Sequence, residues 1–203
     1  MVDEPILSKS EKTKRYIIER AAPIFNQKGY VGTSLSDIIE ATGLTKGGIY
    51  GNFKNKDEIA LAAFDYNVKS LYGLFIETIK KEKDAIAKLY AVLGLHKTIM
   101  YHHSLSGGCP LLNTSIEVDD THPKLKMKVI EALDDWRGAI VRIIKKGQER
   151  GQIKPEIKAE KYANVFMALI EGAMMMVKAY QKGSYLKEAY DHITVVINNE
   201  LKV

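Results

Sequence analysis

Runs rich in Lys, Glu, Ala, Leu and Ile fill almost the whole chain, and no stretch alternates apolar and polar residues for long. These residue types are strong helix formers, whereas a half-buried strand needs alternation. Proline, which breaks helices, occurs only five times. With 203 residues, of which 46% are apolar, the chain is long enough for a hydrophobic core. The sequence therefore predicts an all-α protein.

Glycine, proline and capping residues divide the chain into nine predicted helices. The first begins at Ser8 or Ser10 and ends at Gly29. Pro23 lies inside it, removes one backbone hydrogen bond and is expected to kink it. The other helices are expected at about residues 35–42, 46–53, 55–81 and 83–103, from Pro110, at about 122–151 and 157–181, and from Ser184 towards the end.

Charge and cysteine content narrow the class of protein. The formal net charge of +5 is mildly basic, which suits an anionic partner. Cys109 is the single cysteine, so no internal disulfide can form. The N-terminus does not have the regions of a secretory signal, and no window reaches about 18 uninterrupted apolar residues. We therefore expect a cytoplasmic protein that does not bind membranes.

Two short predicted helices, 35–42 and 46–53, are joined by the three-residue turn Gly-Leu-Thr. A turn of this length is typical of a helix-turn-helix, whose second helix enters the DNA major groove. Thr45 is placed to cap that second helix, and Lys46 adds positive charge where free backbone N–H groups favour a phosphate. Spacing alone is equally compatible with a glycine-rich break beside core aromatic residues.

Three glycines, Gly47, Gly48 and Gly51, lie in this second helix although each costs a helix interior about 1 kcal/mol. We interpret them as residues that let the backbone approach the duplex. Ile49 and Phe53 are predicted to anchor the helix from behind. The polar side chains expected to meet DNA are Tyr50 at a phosphate, Asn52 at an adenine edge, and Lys54 and Lys56 beside the second backbone strand.

Residues 12–65 resemble the N-terminal DNA-binding segment of the TetR family of bacterial transcriptional regulators. The matching positions are Thr33, Ile38 or Ile39, Thr42–Gly43, Lys46–Gly47, Ile49–Tyr50, Phe53 and Lys56–Asp57. The resemblance implies that Thr33, Lys46, Tyr50 and Lys56 contact phosphates, and that Thr45, Gly47, Gly48, Gly51 and Asn52 lie at or near base edges. It divides the chain into a DNA-binding domain, residues 1–55, and a helical effector-binding and dimerisation domain, residues 56–203.

The resemblance also implies a cavity for a small-molecule effector among helices 4 to 7. Most apolar residues there are equally explained as plain core. Side chains with an apolar body and a polar tip are better candidates for ligand contact. These candidates are Tyr66, Tyr90, His96, Tyr101, His102, His103 and Trp136. Their character favours a hydrophobic or aromatic effector.

Residues 101–122 contain His, Cys, Glu and Asp, but their spacings fit no zinc pattern and no Glu-x-x-His pair occurs. We predict neither a metal nor another cofactor. Cys109 has two interpretations. It is a redox or electrophile sensor if the N-terminus of helix 6 stabilises its thiolate, or an inert thiol if it is buried.

The two C-terminal helices carry apolar residues on more faces than one core contact needs, including the run Met174 to Met176. Related regulators pair these helices in a four-helix bundle, so we expect a homodimer. A twofold dimer presents two DNA-binding helices, and its operator should be a palindrome.

These observations predict a ligand-responsive regulator of transcription that binds double-stranded DNA and acts as a repressor, and not an enzyme. One alternative is a DNA-binding protein that has no effector and a solid second half. Another is a helical-bundle enzyme or metal carrier, which would require converging carboxylates and histidines in its core.

Overall fold

The computed structural model describes residues 8–95, 99, 105, 107–118 and 120–203. Over these ranges it confirms the all-α prediction with nine α-helices, and the only β pairing is an isolated bridge between Ile153 and Lys202. The helices are α1 (Lys9–Gly32), α2 (Leu35–Thr42), α3 (Lys46–Tyr50), α4 (Lys56–Lys80), α5 (Ala85–Gly94), α6 (Pro110–Val118), α7 (Pro123–Glu149), α8 (Ala159–Tyr180) and α9 (Ser184–Val196). A π-helical turn, Ile197–Leu201, follows α9.

Helix α1 begins and ends for local reasons. Ser8 closes a capping box with Glu11, and Pro23 is accommodated inside the helix. The regular helix breaks at Gly29, the predicted stop, whose φ of 76° is a left-handed conformation that suits glycine. One further turn then continues to Gly32.

Helices α1 to α3 form a small core over the start of α4. Ile17, Ile38, Ile49 and Phe53 are buried in it. Helix α3 is shorter than predicted because the chain turns after Tyr50, with the N–H groups of Asn52 and Phe53 donating to the carbonyl of Ile49. The burial of Ile49 and Phe53 confirms that they anchor α3 from behind.

A single carboxylate ties the end of α1 to α6. Glu117 accepts hydrogen bonds from the backbone N–H groups of Tyr30, at 2.6 Å, and Val31, at 2.7 Å. A Cβ on Gly29 would lie 2.4 Å from this carboxylate, so the close approach requires glycine. These hydrogen bonds join the end of α1 directly to α6, so the N-terminal helices and the second half of the chain are packed together and not merely tethered.

The second half is built on α4, α5, α7, α8 and α9, with Trp136, Ile140 and Phe166 among its buried residues. Helix α8 is long and apolar enough to meet the criteria of a membrane span. The mean hydropathy of its most apolar window is 1.2, and 33% of that window is buried inside the protein. A core helix of a bundle meets the same criteria. Its inner face packs against α7 and α9, so the helix is explained by the bundle.

Candidate DNA-binding surface and effector cleft

The outer side of α3 is exposed and polar. The Thr45 hydroxyl accepts the N–H of Gly48 at 3.1 Å, which is the predicted cap. Lys46 and Gly47 are exposed. Tyr50 is 38% exposed, and its hydroxyl makes no hydrogen bond with the described residues. The side chains of Lys46 and Tyr50 are therefore available to an external partner.

The glycines of α3 are not required by the fold. A Cβ built on Gly47 would meet nothing closer than the Thr45 hydroxyl, at 3.9 Å, and one on Gly48 would lie 3.5 Å from the same atom. Both are ordinary contacts, and neither residue has a positive φ. Since the free chain has room for alanine at both positions, the exposed glycine backbone is better explained by a partner outside the chain.

Asn52, which was predicted to meet an adenine edge, makes two hydrogen bonds within the chain. Its Nδ2 donates to the Gly48 carbonyl at 2.9 Å, and its Oδ1 accepts from the Ser10 hydroxyl at 3.3 Å. The side chain thus closes the end of α3 and joins it to the first turn of α1. The amide keeps a second N–H and a second lone pair, so these two hydrogen bonds fix the side chain without using its whole hydrogen-bonding capacity.

Thr33 and Lys56, which the resemblance places at phosphates, likewise make hydrogen bonds within the chain. The Thr33 side chain is buried, and its hydroxyl donates to the Gly29 carbonyl at 2.6 Å. The Lys56 ammonium donates to the carbonyls of Tyr30, at 2.7 Å, and Thr33, at 2.9 Å, and lies 4.4 Å from the Tyr30 ring centroid. Lys56 therefore fastens the start of α4 to the end of α1.

Two residues beside α3 were missed by sequence reasoning. Ser10 contacts Asn52, and the Lys14 ammonium lies 5.0 Å above the ring of Phe53. Both come from the first turns of α1, which lie next to the end of α3. The sequence feature that could have pointed to this segment is the lysine-rich start of α1. With exposed Lys46 and Lys54, Lys14 makes this side of the molecule positively charged.

A cleft of about 470 Å³ lies between α4, α5 and α7. Its walls are mainly apolar, and Trp136 and Phe75 pack together there with ring centroids 6.2 Å apart. Tyr72 also lines the cleft, donates to the Ala132 carbonyl at 2.9 Å, and has its pKa raised to about 12 by burial. The cleft lies in the region where an effector was predicted.

The predicted ligand residues are not all at this cleft. Trp136 lines it, whereas Tyr66 and Tyr90 do not. The Tyr90 hydroxyl instead donates to Asn198 at 2.9 Å. His96, Tyr101, His102 and His103 lie outside the described residues. The sequence analysis did not identify the basic residues that line the cleft, which are Lys88, Arg142, Lys146 and Arg150. The four-residue spacing of the last three could have indicated that they share one side of a helix.

Cys109 is buried against α8. Its thiol donates to Oε1 of Glu171 at 3.0 Å. Burial, with the adjacent Glu171 carboxyl, raises the pKa of the thiol well above its usual range, although N–H groups at the start of α6 act in the other direction. Burial and Glu171 outweigh the effect of α6, so the environment as a whole disfavours the thiolate and supports the inert interpretation.

Glu171 makes stability depend on pH. Burial raises its pKa from 4.5 to about 7, so between these values the folded chain holds a proton that the unfolded chain has lost. Stability should therefore decrease by up to about 1.4 kcal/mol for each pH unit across this window and level off above it. We expect Glu171→Gln to remove most of this decrease in thermal melts from pH 4.5 to 8. Glu131→Gln, at an exposed position, should keep the decrease in stability. If the decrease were unchanged in Glu171→Gln, the pH dependence could not be assigned to Glu171.

An apolar stripe runs along the outer side of α8, opposite its buried face. It consists of Val165, Ala168, Leu169, Gly172, Met175 and Ala179, at helical spacing. Met175 is 51% exposed, and a Cβ on Gly172 would meet nothing within 4 Å. We refer to these six residues as the α8 stripe. A continuous apolar surface of this kind is typical of a subunit interface.

Comparison with known proteins agrees with this geometry. Residues 17–63 match the sequence model described as bacterial regulatory proteins, tetR family, and residues 85–193 match the tetracyclin repressor-like C-terminal domain. A TetR-family transcriptional regulator from Cytophaga hutchinsonii superposes with a TM-score of 0.89 at 39% identity, over 98% of each chain.

Two relatives of described function are more distant. The transcriptional repressor DhaR of Mycobacterium sp. (strain GP1) is 22% identical over 81% of this chain and 82% of its own. The A-factor receptor protein of Streptomyces griseus is 25% identical over 85% of this chain, which spans 57% of that longer protein.

Proposed function

Because the chain belongs to the TetR family of bacterial transcriptional regulators, we propose that it is a cytoplasmic repressor that binds its operator through α3 and dissociates when a small effector binds. The observation that supports this proposal best is the outer side of α3. It combines an exposed lysine, a tyrosine with an unused hydroxyl and glycines that the fold does not need.

In the proposed complex, Lys46, Lys54, Lys14 and the Tyr50 hydroxyl contact phosphates. The backbone around Gly47, Gly48 and Gly51 approaches the base edges, with Thr45 at the leading end. Few side chains remain for direct readout, since Gly48 and Gly51 carry none. Affinity therefore depends strongly on phosphate contacts and DNA shape.

A homodimer through α8 and α9 would carry two such surfaces. The α8 stripe supports this assembly, since four of its six residues are exposed in the single chain: Val165, Ala168, Met175 and Ala179. The two α3 helices would enter successive major grooves. Half-sites of a palindromic operator would then lie about 34–36 Å apart, or a multiple of this distance.

Helix α4 is the proposed link between effector and DNA. Lys56 at its start is fastened to α1, and Tyr72 and Phe75 farther along it line the cleft. An effector that fits the cleft better when α4 is tilted would change the separation of the two α3 helices. The effector can shift the equilibrium between the two conformations only by as much as its affinities for them differ. On this account residues 1–55 bind DNA and residues 56–203 bind effector and partner subunit.

Lys46→Gln tests the DNA-binding surface. We expect affinity to decrease for both specific and random duplexes, and the slope of log K against log salt to become shallower by about 2, because each of the two subunits loses one phosphate contact. Fluorescence anisotropy at several salt concentrations measures both quantities. Lys124→Gln, an exposed position at the start of α7, should change neither. An unaltered salt slope in Lys46→Gln would count against this docking.

The alternative of a DNA-binding protein without an effector predicts a solid second half. The cleft of about 470 Å³ with apolar walls favours the switching regulator.

A further inference from the structure

The rim of the effector cleft carries a surplus of positive charge. Four basic side chains line it, from Lys88, Arg142, Lys146 and Arg150, against one acidic side chain, from Asp135. Among the described residues, none of the four lies within 4.0 Å of a carboxylate. By contrast, Lys145, on the same helix, pairs with Glu160 at 2.7 Å. Within the part of the chain that the structure describes, the cations at the cleft thus have no carboxylate partner.

Three of these cations form a row. Arg142, Lys146 and Arg150 are four residues apart and therefore lie on one side of the last turns of α7 and its cap. Lys88 faces the cleft from α5. The row spans about 12 Å along the helix axis. Like charges in a row repel one another, so an anion bound there would relieve an unfavourable arrangement.

The opposite end of the cleft is apolar and slightly acidic. Trp136 and Phe75 pack there, and Asp135 stands beside them. Trp136 and Lys146 are ten residues apart on α7, about 15 Å along the axis. A ligand with an anionic group at one end would be repelled from the Asp135 end and attracted to the row of cations, so the charges set its orientation.

We propose that the effector is an amphipathic anion, with a carboxylate, sulfonate or phosphate head contacted by Arg142 and Lys146, Arg150 adding to the attraction from the end of the row, and an apolar body lying against Trp136 and Phe75. The inference rests on the proposed function in placing the effector in this cleft. It adds the charge of the ligand and the direction in which it lies. The guanidinium groups favour such a head because they hydrogen-bond planar oxyanions through two donors.

Two fluorescent probes that share one aromatic body test the proposal. 8-Anilinonaphthalene-1-sulfonate carries an anionic head, and N-phenyl-1-naphthylamine does not. Trp136 is the single tryptophan of the chain and lies at the apolar end, so energy transfer from it to either probe reports binding at the cleft. We expect the sulfonate to bind about tenfold more tightly than the neutral probe.

Arg142→Gln combined with Lys146→Gln should weaken binding of the sulfonate by about tenfold. Binding of the neutral probe should stay within about twofold of the wild-type value. Lys124→Gln combined with Lys126→Gln removes the same charge from exposed positions elsewhere on α7 and should change neither. Equal binding of the two probes, unchanged sulfonate binding in the Arg142 and Lys146 variant, or no binding of either probe would each overturn the inference.

The DNA-binding proposal is tested separately with the same proteins. A chain that binds duplex DNA but does not prefer the sulfonate keeps its regulatory function and loses only this inference. If a chain prefers the sulfonate but binds no duplex, the inference about the ligand's charge stands and the DNA-binding proposal fails.

Discussion

Replacing Gly47 with alanine is expected to weaken DNA binding by about tenfold or more, equivalent to about 1.4 kcal/mol, while the folded chain becomes no less stable. The free protein has room for the added methyl group, since the nearest atom to a Cβ lies 3.9 Å away. Alanine is the better helix former by up to about 1 kcal/mol. Only a surface that presses against the backbone of α3 would be obstructed by the new methyl group.

Thermal melts and anisotropy on a duplex enriched from random DNA measure the two effects. Gly73→Ala is the matched control, because Gly73 lies inside α4, is exposed, and has nothing within 4 Å of its Cβ position. It should gain similar stability and bind DNA like the wild type. If Gly47→Ala also bound DNA like the wild type, close approach of the α3 backbone would be refuted.

Gly172→Glu should convert the proposed dimer into monomers and reduce DNA affinity by about a hundredfold or more. A side chain at Gly172 meets nothing within 4 Å in the single chain, so the subunit itself should fold normally. In the proposed dimer, however, the substitution buries a carboxylate in the middle of the α8 stripe, where its desolvation has no compensation. A monomer loses the gain in affinity that comes from two linked DNA-binding surfaces.

Sedimentation and anisotropy give the mass and the affinity of this variant. Gly73→Glu introduces the same charge at an exposed position of α4 and should remain dimeric. A Gly172→Glu protein that sediments as a dimer would show that α8 does not form the interface.

Much of the fold could be predicted because its signals are local. Capping residues such as Thr45, the stop at Gly29 and the apolar pair Ile49 and Phe53 all behave in the structure as the sequence indicates. The signals that predict these features lie within a few residues along the chain, where propensity and periodicity act.

The site was less predictable because distant partners decide what a polar side chain does. Asn52 is engaged by Ser10, 42 residues away, and Lys56 by the carbonyls of Tyr30 and Thr33. No local pattern distinguishes such a residue from one that faces DNA. The effector cleft likewise arises only when α4, α5 and α7 pack together, which brings Lys88 beside the row that begins at Arg142.

Selection of bound duplexes from random DNA by the full-length chain tests the central claim most directly. Two copies of α3 related by a twofold axis predict an enriched inverted repeat with half-site centres about 34–36 Å apart, or a multiple of this spacing, bound by two subunits. Lys46→Gln should enrich the same repeat more weakly. Failure to enrich any sequence, or enrichment of a single site without symmetry, would contradict the account.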